Sequence, residues 1–167
     1  MIHFISDTHF DHANIIGYCN RPFSSVEEMN EYMLNKWNSV VDKNDIVYFL
    51  GDLSYGRGRR PHGFWLSQLN GKIMFVRGSH DDGCLDGIES HSEMRIFYEG
   101  ITFLVIHSPY EASPKHYEWT VHGHVHNNNL EKYPLFNPVR RSVNVSVELI
   151  DYTPVSIEKI LDMIKGA

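Results

Sequence analysis

The sequence predicts an α/β protein in which two packed β-sheets are flanked by helices. Short apolar runs of β-forming residues recur along the chain, and Ile46-Leu50 (IVYFL) is continuous enough for burial on both faces. The first half alternates such runs with segments of helical spacing, whereas the second half is mostly strand. Apolar residues make up 42% of the 167 residues, so one domain spanning 1–167 can bury a real core.

The elements follow in order. Ile2-Ser6 is an apolar, β-prone strand. Ser25-Val40 places Val26, Met29, Met33, Trp37 and Val40 on one helical face, with Ser24 or Ser25 and the acids Glu27 and Glu28 marking its start. Ile46-Leu50 is the second strand, Pro61-Leu69 a short helix, Asn70-Gly71 a turn and Lys72-Arg77 the third strand. Four more strands are expected at Ser92-Tyr98, Ile101-Ile106, Glu118-His122 and Ser142-Leu149, with Glu99-Gly100 a tight turn between the first two. Ile157-Ile164 closes the chain as an amphipathic helix. Thr8-Ser24, Ser54-Gly63 and Asn127-Arg141 are expected as long loops.

Charge and targeting signals narrow the function. The net charge of -6 argues against a general nucleic-acid or membrane-surface binder. No basic n-region opens the chain and no run approaches a membrane span, so a cytoplasmic protein is expected. Cys19 and Cys84 are far apart in sequence, form no ligand pair and are read as free thiols.

Five polar clusters each follow a short apolar run: Asp7-Thr8-His9, Gly51-Asp52, Gly78-Ser79-His80-Asp81, His107 and Gly123-His124-Val125-His126. Any one of them alone is ordinary, because Gly-Asp makes turns and a lone His is often a satisfied core residue. Together they deliver an Asp or His at five successive strand ends, and these residues are rarely buried without a partner. Asp7 and His9, like His124 and His126, are two apart in extended chain and share a face. Carboxylates mixed with imidazoles suit Mn²⁺, Fe, Ni or Zn²⁺.

The ordered set D-x-H, G-D, G-x-H-D, H and G-H-x-H resembles the calcineurin-like metallophosphoesterase superfamily. The opening ISDTHFDHANII resembles its small, cap-less bacterial, archaeal or phage members. The resemblance implies a four-layer αββα double β-sandwich with a binuclear metal site at the strand ends. It implies two divalent ions, Mn²⁺ first among them. Asp7, His9 and His126 would hold one, His107 and His124 the other, and Asp52 would bridge them. Two metals roughly 3.5–4 Å apart clamp the attacking and leaving oxygens and make hydroxide available near neutral pH. His80 would assist the leaving oxygen, and Asp81 is a candidate to orient the His80 imidazole.

One position departs from that pattern. Where the family has G-N-H-D, this chain has Gly78-Ser79-His80-Asp81. Ser79 replaces an Asn that would give a carbonyl oxygen to the second metal, and its hydroxyl is shorter and a poorer donor. A native branch with a weaker second metal, an engineered change and a degenerate member are all compatible with the sequence.

Other residues are candidates for the substrate rim. His12 and Asn14 follow the first motif closely, and Arg21 is a candidate phosphate clamp. Arg57, Arg59 and Arg60 make one loop basic, with Tyr55 and Trp65 nearby to stack a base. Arg77 is a candidate to pair with a carboxylate, and His122 is read as supporting. The expected function is a metal-dependent phosphoesterase acting on a phosphodiester or phosphomonoester. Its expected partners are a phosphorylated small molecule, a nucleotide or a nucleic-acid end, with no membrane or other protein and a homodimer open. The alternative is a catalytically weakened or non-catalytic binding scaffold of the same fold.

Overall fold

The computed structural model describes residues 1–167 except Cys84 and Asp86, so the reading of Cys84 as a free thiol lies outside the described residues. Cys19 is free and buried.

The first sheet is built from β1 (Ile2–Ile5), β2 (Ile46–Phe49), β3 (Lys72–Val76), β4 (Ser90–His91) and β10 (Val155–Ser156), in the order β10-β1-β2-β3-β4. The strands β1 to β4 are parallel and in order, with Ile5 opposite Phe49 and Phe49 opposite Phe75, while β10 runs antiparallel to β1. The second sheet contains β5 (Glu93–Tyr98), β6 (Ile101–Ile106), β7 (Trp119–His122), β8 (Phe136–Asn137) and β9 (Ser142–Asn144), in the order β5-β6-β7-β9-β8. There β6, β7 and β9 are parallel, and the edge pairs β5–β6 and β8–β9 are antiparallel. Glu99 and Gly100 both have φ near the left-handed region, 46° and 81°, as a two-residue turn between β5 and β6 requires.

Side-chain alternation splits the core in two. Ile5, Val47, Phe49 and Phe75 face a cluster with Ile15 of α1 (Ala13–Tyr18), Met29, Met33 and Trp37 of α2 (Val26–Val40), and Trp65 of α3 (His62–Leu66). Phe4, Leu50 and Val76 belong to a second cluster with Phe103, Val105, Val121 and Val143 of the second sheet. Ile157, Ile160 and Leu161 of α4 (Ile157–Lys165) close that cluster. Strands buried on both faces explain the unbroken apolar run of β2. The architecture is the double β-sandwich with outer helices that the sequence predicts.

Two local expectations are corrected. The segment Thr8-Ser24 is not all loop, because Ala13–Tyr18 forms a helix. It has no side-chain cap and no acid in its first turn, so the usual start signals are missing and buried Ile15 anchors it instead. The strand expected over Ser142-Leu149 stops at Asn144 and turns into a 3-10 helix at Val147–Leu149. The Asn144 carboxamide oxygen captures both the backbone N–H and the hydroxyl of Ser146, which ends the ladder and turns the next residues toward the strand ends. The helix α2 begins where expected, with the Ser25 hydroxyl accepting from the Glu28 N–H.

Candidate metal centre

The site forms where the C-terminal ends of β1, β2, β3, β6 and β7 meet, the usual location in a parallel sheet. The chain leaving β1 is stitched to the chain leaving β2, since Asp7, His9 and Phe10 donate backbone N–H groups to Gly51, Asp52 and Leu53. Five of the expected ligands adopt left-handed backbone: Asp7, His9, Asp52, His124 and His126 have φ of 61°, 50°, 58°, 71° and 48°. Such conformations cost of order 1–3 kcal/mol each and gather at functional sites. Here they turn side chains at successive strand ends toward one point.

Two triads result. Asp7, His9 and His126 form one and Asp52, His107 and His124 the other, each with ligand atoms within 4.8 Å of one another. Asp52 Oδ2 lies 3.6 Å from His9 Nε2 and 3.4 Å from His107 Nε2, so this oxygen stands between the triads. Its other oxygen, Oδ1, accepts the His80 backbone N–H at 2.8 Å. His107 Nδ1 donates to the Leu50 carbonyl at 2.6 Å, which leaves the Nε2 lone pair facing the site. His126 Nδ1 lies 3.0 Å from Glu148 Oε1, and that likewise leaves Nε2 for the interior. Asp7 Oδ1 and His9 Nε2 are buried without any hydrogen-bond partner. Unpartnered buried acceptors in a set of two carboxylates and four imidazoles fit divalent cations of the Mn²⁺, Fe or Zn²⁺ kind.

Backbone approach is tight at two glycines. A Cβ on Gly123 would lie 2.1 Å from Ser6 Oγ and 2.3 Å from Asp7 Oδ2, and one on Gly78 would lie 2.3 Å from Asp52 Oδ1. Glycine at both positions lets the two carboxylates seat against the main chain.

Electrostatics separate the carboxylates. Burial would raise Asp7, yet the imidazoles of His126, His107 and His9 hold it well below the usual range. Asp52 is pushed up to about 6, first by burial and then by the Asp7 and Asp81 carboxylates, against the pull of His107. Burial lowers His126, but Asp7, Cys19 and Glu148 overrule it and hold the imidazole up to about 11. Burial pushes His9 well below its ordinary value and lowers His124 as well.

The remaining candidates fall into distinct places. Ser79 is exposed, with Oγ 3.3 Å from His124 Nδ1, and His80 stands exposed at the rim. His12 Nδ1 lies 3.3 Å from His9 Nδ1, at the edge of the first triad. Arg77 is exposed and 4.0 Å from Asp82. His122 is fully buried, and its Nδ1 donates to the Gly123 carbonyl, away from the triads.

Arg21 and Asp81 take other parts than expected. The Arg21 side chain is 0% exposed. Its guanidinium donates to Glu148 Oε1 and to the carbonyls of Asp7 and Thr8, so it braces the site from behind and has no face for phosphate. None of the Asp81 hydrogen bonds reaches the His80 ring. The Asp81 carboxylate accepts the N–H groups of Gly78, Asp52 and Leu53 and the His62 Nε2–H, which pins the loops after β2 and β3 together.

Two functional residues escape sequence reasoning. Glu148 carries both His126 and Arg21, and its only signal is a lone acid inside the apolar run VNVSVELI. His62 supports Asp81 and receives the Ser54 hydroxyl, and nothing in its helix marks it.

The sequence profile of the calcineurin-like phosphoesterase family matches residues 1–156. The chain belongs to the calcineurin-like phosphoesterase family. The family and the two triads together make it a metal-dependent phosphoesterase. An uncharacterized protein of Methanocaldococcus jannaschii is 47% identical to this phosphoesterase over 167 residues, covering 98% of this chain and 91% of that protein. The Gene 66 protein of Mycobacterium phage D29 is 24% identical over 178 residues, 87% of this chain and 86% of its own. The crystal structure of a protein of unknown function from Aquifex aeolicus superposes with a TM-score of 0.76 at 26% identity, covering 98% of this chain and 99% of that one. Among the described residues, no helix is long and apolar enough to cross a membrane.

Proposed function

We propose that this phosphoesterase holds two divalent cations, Mn²⁺ being the first to assay, and hydrolyses a phosphodiester in an open groove. The observation that carries this reading is Asp52 Oδ2, placed between His9 Nε2 and His107 Nε2 where one carboxylate can serve both triads. Bound there, the cations supply Lewis-acid charge and a water acidified to near neutral pH. Asp7, His9 and His126 would hold one, His107 and His124 the other, and Asp52 would reach both, with Ser79 beside His124. The chain contributes the rest. The hydrogen bond from the His80 backbone to Asp52 fixes the loop that presents the imidazole at the rim. As the oxygen of a water that has released a proton to solvent bonds to phosphorus and the ester P–O bond breaks, His80 delivers a proton to the departing oxygen. The buried Asp81 and Arg21 keep the strand-end loops from relaxing around that charge.

Hydrolysis of bis-p-nitrophenyl phosphate and p-nitrophenyl phosphate tests this, with the protein stripped of metal and reloaded with Mn²⁺. Metal-dependent turnover that favours the diester and disappears in Asp52→Ala is expected. Tight binding of Mn²⁺ without turnover of either ester would favour the scaffold alternative.

A further inference from the structure

Exposed aromatic rings gather round the metal centre. Five of the nine tyrosines are exposed, and three of the five touch a histidine of the centre or its rim. Tyr110, 63% exposed, sets its ring 5.9 Å from that of His124, the least buried member of the second triad. Tyr55, 38% exposed, packs against His80 at 4.3 Å and His12 at 4.9 Å, and Tyr18, 68% exposed, meets the His12 ring at 6.1 Å. The other two are engaged elsewhere, Tyr32 with Phe23 and Tyr152, and Tyr117 with His116. Trp65, which the sequence offers as a second stacking ring, is buried, with Phe10 stacked at 4.2 Å and the Arg60 guanidinium 4.2 Å from its centroid. Exposed apolar groups scattered singly are ordinary, whereas rings collected at one site mark where a ligand docks.

The rings stand at both ends of the pair of triads. His12 lies against His9 of the first triad, with the two Nδ1 atoms 3.3 Å apart, so Tyr55 and Tyr18 belong to that end. Tyr110 belongs to the other end through His124. A phosphodiester held between the triads sends its two substituents out in different directions, because in-line displacement places only the departing one opposite the attacking water. With His80 beside the departing oxygen, the group attached to it passes the Tyr55 ring. We infer that Tyr55 and Tyr18 take the departing group, that Tyr110 takes the retained group, and that both groups are nucleosides whose bases stack on these rings. Every base has a π-face, so a tyrosine ring receives any of them. The net charge of -6 disfavours a long polyanion, and the substrate class is therefore a dinucleotide bound by stacking more than by phosphate contacts. This inference rests on the phosphoesterase reading, and specifically on the side assigned to His80.

Calorimetry with Mn²⁺ present reads this binding without turnover. The probes are phosphinate analogues of a deoxyadenosine dinucleotide, with CH₂ in place of both bridging oxygens. One carries both bases, and two others each lack one of them. Loss of either base is expected to weaken binding about tenfold. Tyr110→Ala should abolish the contribution of one base, and Tyr18→Ala combined with Tyr55→Ala that of the other. Tyr110→Phe, Tyr18→Phe and Tyr55→Phe should preserve both, since stacking uses the ring face and not the hydroxyl. Equal affinity of the three analogues, or a loss confined to one base, overturns the assignment. Base discrimination that survives the alanine changes at both ends overturns it too. The comparison on the unaltered protein stands by itself, so a poorly folded variant does not blunt it. The cleavable dinucleotide is assayed alongside. Base-dependent binding without any turnover refutes the phosphoesterase reading and supports the stacking rings. Turnover with base-independent binding refutes the stacking rings and supports the phosphoesterase.

Discussion

Replacing Arg21 by Met separates a bracing arginine from a phosphate clamp. In the folded chain the guanidinium is fully enclosed, with Glu148 at 2.7 and 2.9 Å and the carbonyls of Thr8 and Asp7 at 2.8 Å each. Met fills similar volume, so the cost is electrostatic. Removing one partner of a buried ion pair costs roughly 3–5 kcal/mol, because the other charge is left uncompensated. Glu148 keeps His126 at 3.0 Å, so the lower end applies, about 3 kcal/mol. A domain of this size loses roughly 2–4 °C of Tm per kcal/mol, so the melt should fall by roughly 6–12 °C. Arg21→Lys should recover only part, since one ammonium cannot reach Glu148 and two carbonyls together. Thermal denaturation followed by circular dichroism reads this directly, on protein stripped of metal so that ligand binding adds nothing. An unchanged melt combined with a raised KM for a phosphate ester would refute the bracing argument and restore the clamp.

Other consequences can be measured on the same protein. Gly123→Ala forces a methyl group to within 2.3 Å of Asp7 Oδ2, so calorimetry should show the loss of at least one Mn²⁺ site, and two intact sites would contradict the close approach. Ser79→Asn should tighten the weaker of two Mn²⁺ binding events about tenfold, as recovery of a ligand does, whereas an unchanged isotherm would show that residue 79 does not contribute. Metal affinity should rise with pH. His126 is held up to about 11, so a cation taking Nε2 at pH 8 must release its proton. Affinity then rises about tenfold per pH unit, and more steeply below about 6, where Asp52 must also lose a proton. Calorimetry in buffers of different ionisation heat counts those protons, and none released at pH 8 would contradict the raised His126. The same shift predicts the opposite trend for the metal-free fold. The stabilisation that a raised histidine provides is complete below its ordinary 6.5 and fades as pH climbs toward 11.

The sequence by itself determined the architecture and the candidate ligands. Apolar runs buried on both faces made β1, β2 and β3 legible, and the spacing of Met29, Met33 and Trp37 made α2 legible, because burial imposes periodicity on the residues that undergo it. Asp and His repeated at strand ends singled out Asp7, His9, Asp52, His107, His124 and His126 as candidates, although their expected division between two ions came from family resemblance. Elements held by contacts distant in sequence were not legible. The two-residue strands β4, β8 and β10 exist only because a neighbouring strand offers hydrogen bonds, and α1 carries no cap to announce it. Only the tertiary structure decided the supporting roles. Arg21 and Glu148 lie 127 positions apart, and which group an arginine faces depends on what the fold packs against it. Asp81 was read beside its sequence neighbour His80, yet it bonds to His62, because a buried carboxylate must find donors wherever the enclosing loops supply them. Ligand chemistry belongs to residue types and can be read along the chain. The charges and hydrogen bonds that hold those ligands in place belong to three-dimensional proximity, which the linear order does not encode locally.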